Sequence, residues 1–348
     1  MGTSSVISSL TRQRINFRSI ADMDADILKG IPRLPRSIDL VVGIPRSGML
    51  AASILALHLN CALTDVDGLL NGRIFTRGHS RRGLFTNISS VDLAESIMVL
   101  DDSVYRGAEM DGVRRLLSGF EARKEILFAA VYVSEQSRAK VDFYFNVCQI
   151  PRIFEWNLMH HSELSEACID MDGVLCRDPT EEENDDGPKY QEFLSHAERF
   201  LLPTVPVGYV VTCRLEKHRL QTESWLARHN VKYKRLIMMD LPSKAARIAA
   251  GSHGAFKANA CRHLGANLFI ESDEAQALEI ANRASVDVFC VKTQRLIHPA
   301  WARERLAAIT NGPRRLRQAV RRMFLAAQRI LITRRKRDSS IWKGQSKA

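Results

Sequence analysis

The amino-acid sequence predicts an α/β protein of two domains with mostly parallel sheets, followed by a basic C-terminal helix. Short apolar runs that suit buried strands recur along the chain, and several of them end in a polar loop that leads into a helix. Continuous apolar runs are typical of parallel strands that are covered on both faces. The length of 348 residues also favours two domains. We therefore expect domains over residues 1–165 and 166–300, and a tail over 301–348.

The composition indicates an ordinary globular interior without disulfides or membrane spans. Hydrophobic residues make up 45% of the chain, which is enough for two cores. The seven cysteines are scattered, and none lies in a Cys-x-x-Cys pair, so we expect reduced, buried thiols and no zinc site. There is no run of 18 uncharged apolar residues, and the N-terminus lacks the apolar segment of a signal peptide. These features predict a cytoplasmic protein.

The positive charge of the chain is concentrated in its tail. The formal net charge is +11, and residues 301–348 contain 14 Lys and Arg but only two acids, so the rest of the chain sums to about −1. We therefore do not expect the two domains to bind nucleic acid. Apolar residues of the tail recur at helical spacing, from Leu316 to Leu331, with arginines between them. Such a helix suits either peripheral contact with the inner face of the cell membrane or packing on the second domain.

Two strand–loop–helix units in the first half carry the polar residues of a candidate site. The apolar run Ile38–Val42 is followed by a loop with Arg46, Ser47 and Gly48, and then by a small, apolar helix. The run Ser96–Leu100 ends in a pair of acids, and a short loop leads into the next helix; the residues concerned are Asp101, Asp102, Tyr105, Arg106, Gly107, Ala108 and Glu109. Ligands of open α/β sheets bind at the carboxyl ends of the strands, where helix N-termini attract anions. We therefore expect both loops to take part in binding an anionic ligand.

This pair of loops resembles the diphosphate loop and the ribose-phosphate loop of type I phosphoribosyltransferases. The resemblance implies that Asp101 and Asp102 bind the ribose hydroxyls of phosphoribosyl pyrophosphate (PRPP), and that residues 105–109 bind its 5-phosphate. It implies that the loop 46–48 binds the diphosphate. The family usually has Thr-Thr-Gly-Gly-Thr in the phosphate loop. In this chain, Arg106 would offer a guanidinium to the phosphate, whereas Glu109 adds an anion.

The same resemblance gives a role to two further segments. The family has a mobile flap where this chain has the glycine-punctuated residues 72–83, and Arg81 and Arg82 are candidates for contacting the leaving diphosphate. A solvated surface hairpin is the alternative interpretation. The segment after the first sheet corresponds to the hood that receives the acceptor, and Trp156 and Asn157 would shape its pocket.

The second half contains four motifs that carry phosphate chemistry. One strand ends in Asp170 and Asp172, another ends in Thr212, Lys257 follows, and a last strand ends in Glu271-Ser272-Asp273. Their order resembles that of the haloacid-dehalogenase-like (HAD) phosphatases. The resemblance implies that Asp170 attacks phosphorus and that Asp172 protonates the leaving oxygen and later activates water. It also implies that Thr212 and Lys257 hold the phosphoryl group.

The same resemblance implies Mg²⁺ as the cofactor of the second domain. Its ligands would come from Asp170, Asp172 and either Glu271 or Asp273, and the sequence leaves that choice open. Lys244 is an alternative to Lys257, because it too precedes the last motif. The acidic insert 177–205 is short and therefore predicts a minimal cap over an open site.

Together the resemblances imply two Rossmann-like domains that catalyse consecutive steps. The first would transfer 5-phosphoribosyl from PRPP to an acceptor, and the second would remove the 5-phosphate. The favoured acceptor is a hydroxyl of a lipid-linked glycan, since the domain pair resembles the bifunctional ribofuranosyl transferase–phosphatases of bacterial polysaccharide gene clusters. Two alternatives stay open: a nucleobase salvage enzyme with a nucleotidase domain, and a regulatory protein that binds PRPP.

Overall fold

A computed structural model describes residues 14–35, 37–75, 88, 90–121, 124–184, 187–251 and 253–309. The chain divides into two compact units, Met1–Ser162 and Glu163–Ala348, each with its own parallel sheet. The predicted flap arginines Arg81 and Arg82 and the predicted basic helix beyond residue 309 lie outside the described residues.

The first unit alternates strands and helices, as the apolar runs predict. Its strands and helices are β1 (Asn16–Arg18), α1 (Ile20–Gly30), β2 (Leu40–Gly43), α2 (Ser47–Leu59), β3 (Ala62–Asp65), α3 (Val66–Leu70), β4 (Ser96–Val104), α4 (Ala108–Glu121), β5 (Glu125–Val133), β6 (Phe143–Val147) and β7 (Arg152–Phe154).

The sheet of the first unit has the order β3-β2-β4-β5-β6, with every neighbouring pair parallel. Alternate residues of β4 pack on opposite faces: Met98 and Leu100 join one buried cluster, while Ile97 and Val99 join the other. The chain order reverses between β2 and β4, and this switch point is where open α/β sheets bind ligands. β1 and β7 form a separate parallel pair.

β4 is longer than its apolar run predicts. The sequence suggests that the strand ends at Leu100, but it continues through both acids to Val104, because β5 pairs with it as far as Val133. Asp101 and Asp102 therefore lie within the strand, and the loop before α4 shrinks to three residues.

The second unit is again an α/β sheet with helices between the strands. Its elements are β8 (Cys168–Ile169), α5 (Pro188–His196), β9 (Val207–Leu215), α6 (Arg219–Arg228), β10 (Tyr233–Met239), α7 (Lys244–Ala249), α8 (His253–Leu264), β11 (Leu268–Glu271), α9 (Glu274–Ala284), β12 (Asp287–Cys290) and β13 (Arg295–Ile297). Residues 299–309 are also helical.

The sheet of the second unit has the order β10-β9-β8-β11-β12-β13. Its first five strands are parallel, and only β13 runs antiparallel to its neighbour. The switch point lies between β8 and β11, the strands that lead to Asp170 and Glu271. β9 continues past Thr212 to Leu215, where the sequence predicts its end at the threonine, because Leu215 still pairs with β10.

The cysteines are buried and reduced, as the sequence predicts. All seven cysteines are buried, and none forms a disulfide. Within the described ranges, no helix combines the length and the apolar character that a membrane span requires.

Candidate active sites

Two predicted loops meet at the switch point of the first sheet. The Ser47 hydroxyl, at the start of α2, donates a 2.8 Å hydrogen bond to Asp102 Oδ1 on β4. Gly48 makes this approach possible, because a Cβ atom there would lie 2.8 Å from the Leu100 carbonyl oxygen and 3.0 Å from Asp101 Oδ1. Arg46 is exposed beside them. The structure thus brings the 46–48 loop and the acid pair together at one edge of the sheet.

The acid pair is buried and receives hydrogen bonds from neutral donors. Asp101 is 9% exposed and Asp102 is 5% exposed. Asp101 Oδ1 accepts from the Asp102 amide at 2.8 Å. Burial and the adjacent Asp102 raise the pKa of Asp101 to about 8. Desolvation and the neighbouring carboxylate thus both oppose ionisation of Asp101.

The hood residue Trp156 contacts the acid pair directly. Its indole N–H donates to Asp102 Oδ2 at 2.8 Å. Its ring stacks on Phe154, with 4.8 Å between ring centroids and 3° between planes. Asn157 follows in the same 3-10 helix, and its Oδ1 is buried without a hydrogen-bond partner among the described residues. Of the two predicted hood residues, Trp156 is the one that reaches the acids.

Arg152 is a buried cation at this site that sequence reasoning missed. It is 7% exposed, and it donates to the Val104 carbonyl oxygen at 3.1 Å and to that of Cys148 at 3.2 Å. Burial lowers the pKa of Arg152, and the nearby Cys148, Asp102 and Asp101 raise it only in part. Arg152 therefore fixes the end of β4, where the phosphate loop begins. No motif surrounds it in the sequence that would have indicated this role.

The predicted phosphate loop is short and open. Tyr105 and Arg106 are exposed, with the Arg106 guanidinium 5.4 Å from the Tyr105 ring centroid. Gly107 has φ of +83°, a conformation that favours glycine. Ala108 and Glu109 begin α4 and are exposed.

The second unit gathers three of its predicted residues in a buried cluster. The Lys257 ammonium donates to Asp170 Oδ2 at 2.6 Å, to Glu271 Oε2 at 2.7 Å and to Gln276 Oε1 at 2.8 Å. Burial raises the pKa of Asp170 to about 8, although Lys257 lowers it. Burial lowers the pKa of Lys257, but the charges of Asp170 and Glu271 outweigh it and raise the pKa overall. Lys244 lies elsewhere and donates to the Asn184 carbonyl.

Asp172 is paired with a buried arginine that the sequence analysis did not include. Arg214 Nη2 lies 2.6 Å from Asp172 Oδ1, and its Nε bonds to both carboxylate oxygens. Thr212 and Arg214 are buried residues of the same strand. Since alternate residues of a strand share a face, the spacing of two from Thr212 was the available signal.

A cavity of about 670 Å³ opens onto these groups, and Asp170, Asp172, Thr212, Lys257 and Asp273 are among the residues that line it. Asp273 caps α9 by accepting from the Gln276 amide through Oδ1. Glu271, by contrast, is fully buried, and its oxygens accept from Lys257 and from the Ser272 and Asp273 amides.

The donor chemistry of the cavity suits Mg²⁺. No group of three or more His, Cys, Asp or Glu side chains in the described part of the chain is arranged to hold a metal ion. Magnesium, however, is usually held by one or two carboxylates together with waters and substrate phosphate. Asp170 and Asp273 line the cavity and Glu271 does not, so the two aspartates are the acids that a cation in the cavity could reach.

Comparison with known proteins assigns the first unit to a class. Residues 7–163 match the family model of the phosphoribosyl transferase domain. The match covers most of the first unit and agrees with the phosphoribosyltransferase resemblance found in the sequence. No curated protein matches the chain.

Several solved structures are similar to part of the chain. Helicobacter pylori xanthine-guanine-hypoxanthine phosphoribosyltransferase is 15% identical, with 42% of this chain and 93% of that one covered and a TM-score of 0.32. A purine phosphoribosyltransferase from Pyrococcus horikoshii is 16% identical, with 41% and 93% covered and a TM-score of 0.29. A Neisseria gonorrhoeae protein with bound ppGpp is 11% identical, with 42% and 90% covered and a TM-score of 0.30.

Proposed function

We propose that the chain is a bifunctional enzyme that transfers 5-phosphoribosyl from PRPP to an acceptor and then removes the 5-phosphate. The main support for this proposal is that each sheet has a pair of carboxylates at its switch point, Asp101 and Asp102 in the first unit and Asp170 and Asp172 in the second. In the first unit the pair meets the 46–48 loop, and in the second it faces a cavity of about 670 Å³.

The first unit supplies groups that match the polar parts of PRPP. Ser47 and Trp156 each donate to one oxygen of Asp102. A carboxylate oxygen can accept a second hydrogen bond, here from a ribose hydroxyl. Asp101 lies beside it for the second hydroxyl. The exposed Arg46 and the loop before α4 would bind the diphosphate and the 5-phosphate. The acceptor then forms a bond to ribose C1 as diphosphate leaves with the bonding electron pair, and the proton that the acceptor loses passes to the departing diphosphate.

The second unit resembles the HAD phosphatases, and its groups fit the two half-reactions of a phosphomonoesterase. Asp170 attacks phosphorus, and the ester oxygen leaves with a proton from Asp172. Water, activated by Asp172, then cleaves the aspartyl phosphate and releases inorganic phosphate. Thr212 lies at the cavity wall to hold the phosphoryl group. Asp170 and Asp273 would hold Mg²⁺, which supplies positive charge to the phosphoryl oxygens.

The favoured acceptor is a hydroxyl of a lipid-linked glycan, which would receive a plain ribofuranosyl residue. This assignment rests on the resemblance to fused transferase–phosphatases of polysaccharide gene clusters. It places the enzyme in the cytoplasm, with peripheral membrane contact through the basic tail. Removal of the 5-phosphate would also make the overall reaction irreversible, because it withdraws the product of the first step.

Nucleobase salvage is the second candidate, and the position of Trp156 favours it. An indole that bonds to a ribose-binding acid and stacks on Phe154 extends an aromatic surface next to the donor site. A nucleobase has the flat face that such a surface stacks upon. In that case the second unit acts as a nucleotidase.

The decisive experiment combines labelled PRPP with a panel of lipid-linked glycans and nucleobases and follows products by mass spectrometry. We expect ribosyl glycan from the wild type, 5-phosphoribosyl glycan from Asp170→Asn, and no product from Asp102→Asn. Incorporation into nucleobases alone would favour salvage. PRPP binding without any turnover would favour a regulatory protein, and a dephosphorylated product from Asp170→Asn would remove the second unit from the reaction.

A further inference from the structure

The helix α7 in the second unit buries its arginine and exposes its isoleucine. Arg247 is 8% exposed and is the one buried residue of this six-residue helix, whereas Ile248 is 66% exposed. A helix that packs for stability turns its apolar side inward. Local departures of this kind are expected at functional sites, where a polar group is needed inside.

Arg247 lines the cavity that also contains Asp170 and Thr212. Its Nη1 donates to the carbonyl oxygen of Cys213 at 3.2 Å. Cys213 directly follows Thr212 in β9. Its Nη2 donates to Asn184 Oδ1 at 3.4 Å, and its Nε is buried without a partner in the described residues.

Among the described residues, no carboxylate pairs with Arg247. Its hydrogen-bond acceptors in the described part of the chain are neutral: the Cys213 carbonyl, the Asn184 side chain and the Tyr190 hydroxyl. Its guanidinium forms no salt bridge with the described residues. Asp185 and Asp186, which follow Asn184, lie outside those residues. An unpaired buried charge is costly, so a site that retains one is built for an anion that arrives with a ligand.

The other buried cations of this unit are already occupied. An ammonium has three N–H donors, and those of Lys257 go to Asp170, Glu271 and Gln276. Arg214 donates hydrogen bonds from its Nε and Nη2 to Asp172. The more exposed His253 and Lys292 also line the cavity. Of the three buried cations, only Arg247 has no anionic partner in the described part of the chain.

We propose that Arg247 is the residue that binds the phosphoryl oxygens of a phosphomonoester in the second unit, a role that sequence resemblance gives to Lys257. The inference rests on the proposed phosphatase function of this unit. Lys257 then acts as the counter-ion that holds Asp170 and Glu271 in place, while Arg247 provides a guanidinium able to meet two phosphoryl oxygens. The cavity volume is in the range of sites that enclose small ligands such as sugar phosphates.

The test is calorimetric titration of the full chain with inorganic phosphate and with ribose 5-phosphate, in the presence of Mg²⁺. Ribose 5-phosphate is titrated in the Asp170→Asn background to prevent turnover. We expect Arg247→Gln to weaken the binding of both ligands about 10- to 100-fold, because charge-assisted hydrogen bonds are lost. Arg247→Lys should retain part of the affinity. Arg262→Gln, on the exposed side of α8, is the matched control and should bind as the wild type does.

The melting temperature of each ligand-free variant separates binding from a structural role. We expect Arg247→Gln to melt no lower than the wild type, because it removes an unpaired buried charge. Unchanged phosphate affinity in Arg247→Gln would overturn the inference. If the melting temperature also fell, Arg247 would instead have a structural role, with a partner such as Asp185 or Asp186. If the wild type itself binds neither ligand, the proposed phosphatase function fails instead.

Discussion

The two units place acids at the same position in similar sheets but neutralise them differently. In the first unit, Asp102 receives hydrogen bonds from the neutral Ser47 hydroxyl and Trp156 indole. In the second, Asp170 and Asp172 each contact a buried cation, Lys257 and Arg214 respectively. The first unit thus leaves its acids ready for the hydroxyls of a sugar, whereas the second holds its acids in fixed ion pairs.

This difference follows from what each site is proposed to do. Carboxylates that accept from ribose hydroxyls need free lone pairs, and the buried Arg152 of this site donates to backbone carbonyls rather than to the acids. A carboxylate that attacks phosphorus must be held in one orientation while an anionic group approaches, and a buried ammonium does this. Variants of one unit, each compared with a matched control, therefore distinguish ionic from neutral support of the acids.

Removing the cation of the second unit should have the largest effect. Lys257→Met leaves Asp170 and Glu271 buried without a counter-charge, and breaking a buried pair in this way costs about 3–5 kcal/mol of unfolding free energy. Hydrogen exchange of the α8 and β11 amides measures this cost in the second unit alone.

The control for Lys257 is Lys234, which forms an exposed salt bridge with Glu166 in the same unit. Lys234→Met should cost at most about 1 kcal/mol, because solvent screens an exposed pair. Equal costs for the two variants would show that burial does not set the value of the Lys257 pairs.

Adding a methyl group at Gly48, where α2 approaches β4 closely, should have the next largest effect on stability. A Cβ atom at Gly48 would press on the Leu100 carbonyl and on Asp101, so Gly48→Ala should cost about 1–3 kcal/mol and weaken PRPP binding. A Cβ atom at Gly112, within α4, would lie 3.8 Å from the nearest atom, in the Arg115 side chain, so Gly112→Ala should be neutral or slightly stabilising. Denaturation of both variants with PRPP titration checks this, and a neutral Gly48→Ala would contradict the tight junction.

The pH dependence of the first unit should follow Asp101. Its pKa rises from an ordinary value of 3.8 to about 8 through burial and Asp102, so the folded state binds this proton more tightly than the unfolded state. Stability therefore falls as pH rises between these values, by at most about 1.4 kcal/mol per pH unit. Asp101→Asn resembles the protonated acid and should remove this slope, so that the variant is more stable than the wild type at pH 8.

Hydrogen exchange of the β4 amides, corrected for the intrinsic effect of pH, measures this slope in the first unit. Asp67→Asn removes an exposed carboxylate of the same unit and serves as the control. A slope that survives in Asp101→Asn would assign the buried proton to another group.

The sequence predicts the site residues whose positions follow from the order of the strands along the chain. Since parallel strands end at a common edge, an acid pair after one apolar run and a polar loop after another must meet, as Asp102 and Ser47 do. The sequence favours Lys257 over Lys244 for the cation of the second unit, and the burial pattern of α8 gives the reason for Lys257. The buried residues of α8 recur at Gly254, Lys257, Ala258 and Cys261, and this helical spacing places Lys257 on the inner face.

The sequence could not predict contacts that depend on pairing partners far along the chain. The ends of β4 and β9 are set by neighbouring strands, so their apolar runs underestimate their lengths. Arg152 and Arg247 bind backbone carbonyls, and any residue type can supply a carbonyl. No local pattern marks such arginines.

The smallest predicted effect concerns the neutral donors of the first unit. Trp156→Phe keeps an aromatic ring to stack on Phe154 but removes the N–H that orients Asp102 Oδ2. We expect PRPP affinity to fall about 3- to 10-fold, in line with the loss of one hydrogen bond. Trp225→Phe loses a comparable bond in the second unit, from its indole to the Ala197 carbonyl, and should leave PRPP affinity unchanged. Calorimetric titration with PRPP distinguishes the two variants. Unaltered affinity in Trp156→Phe would mean that Asp102 is held by Ser47 alone, and the contrast between neutral and ionic support of the acids would then rest on one hydroxyl.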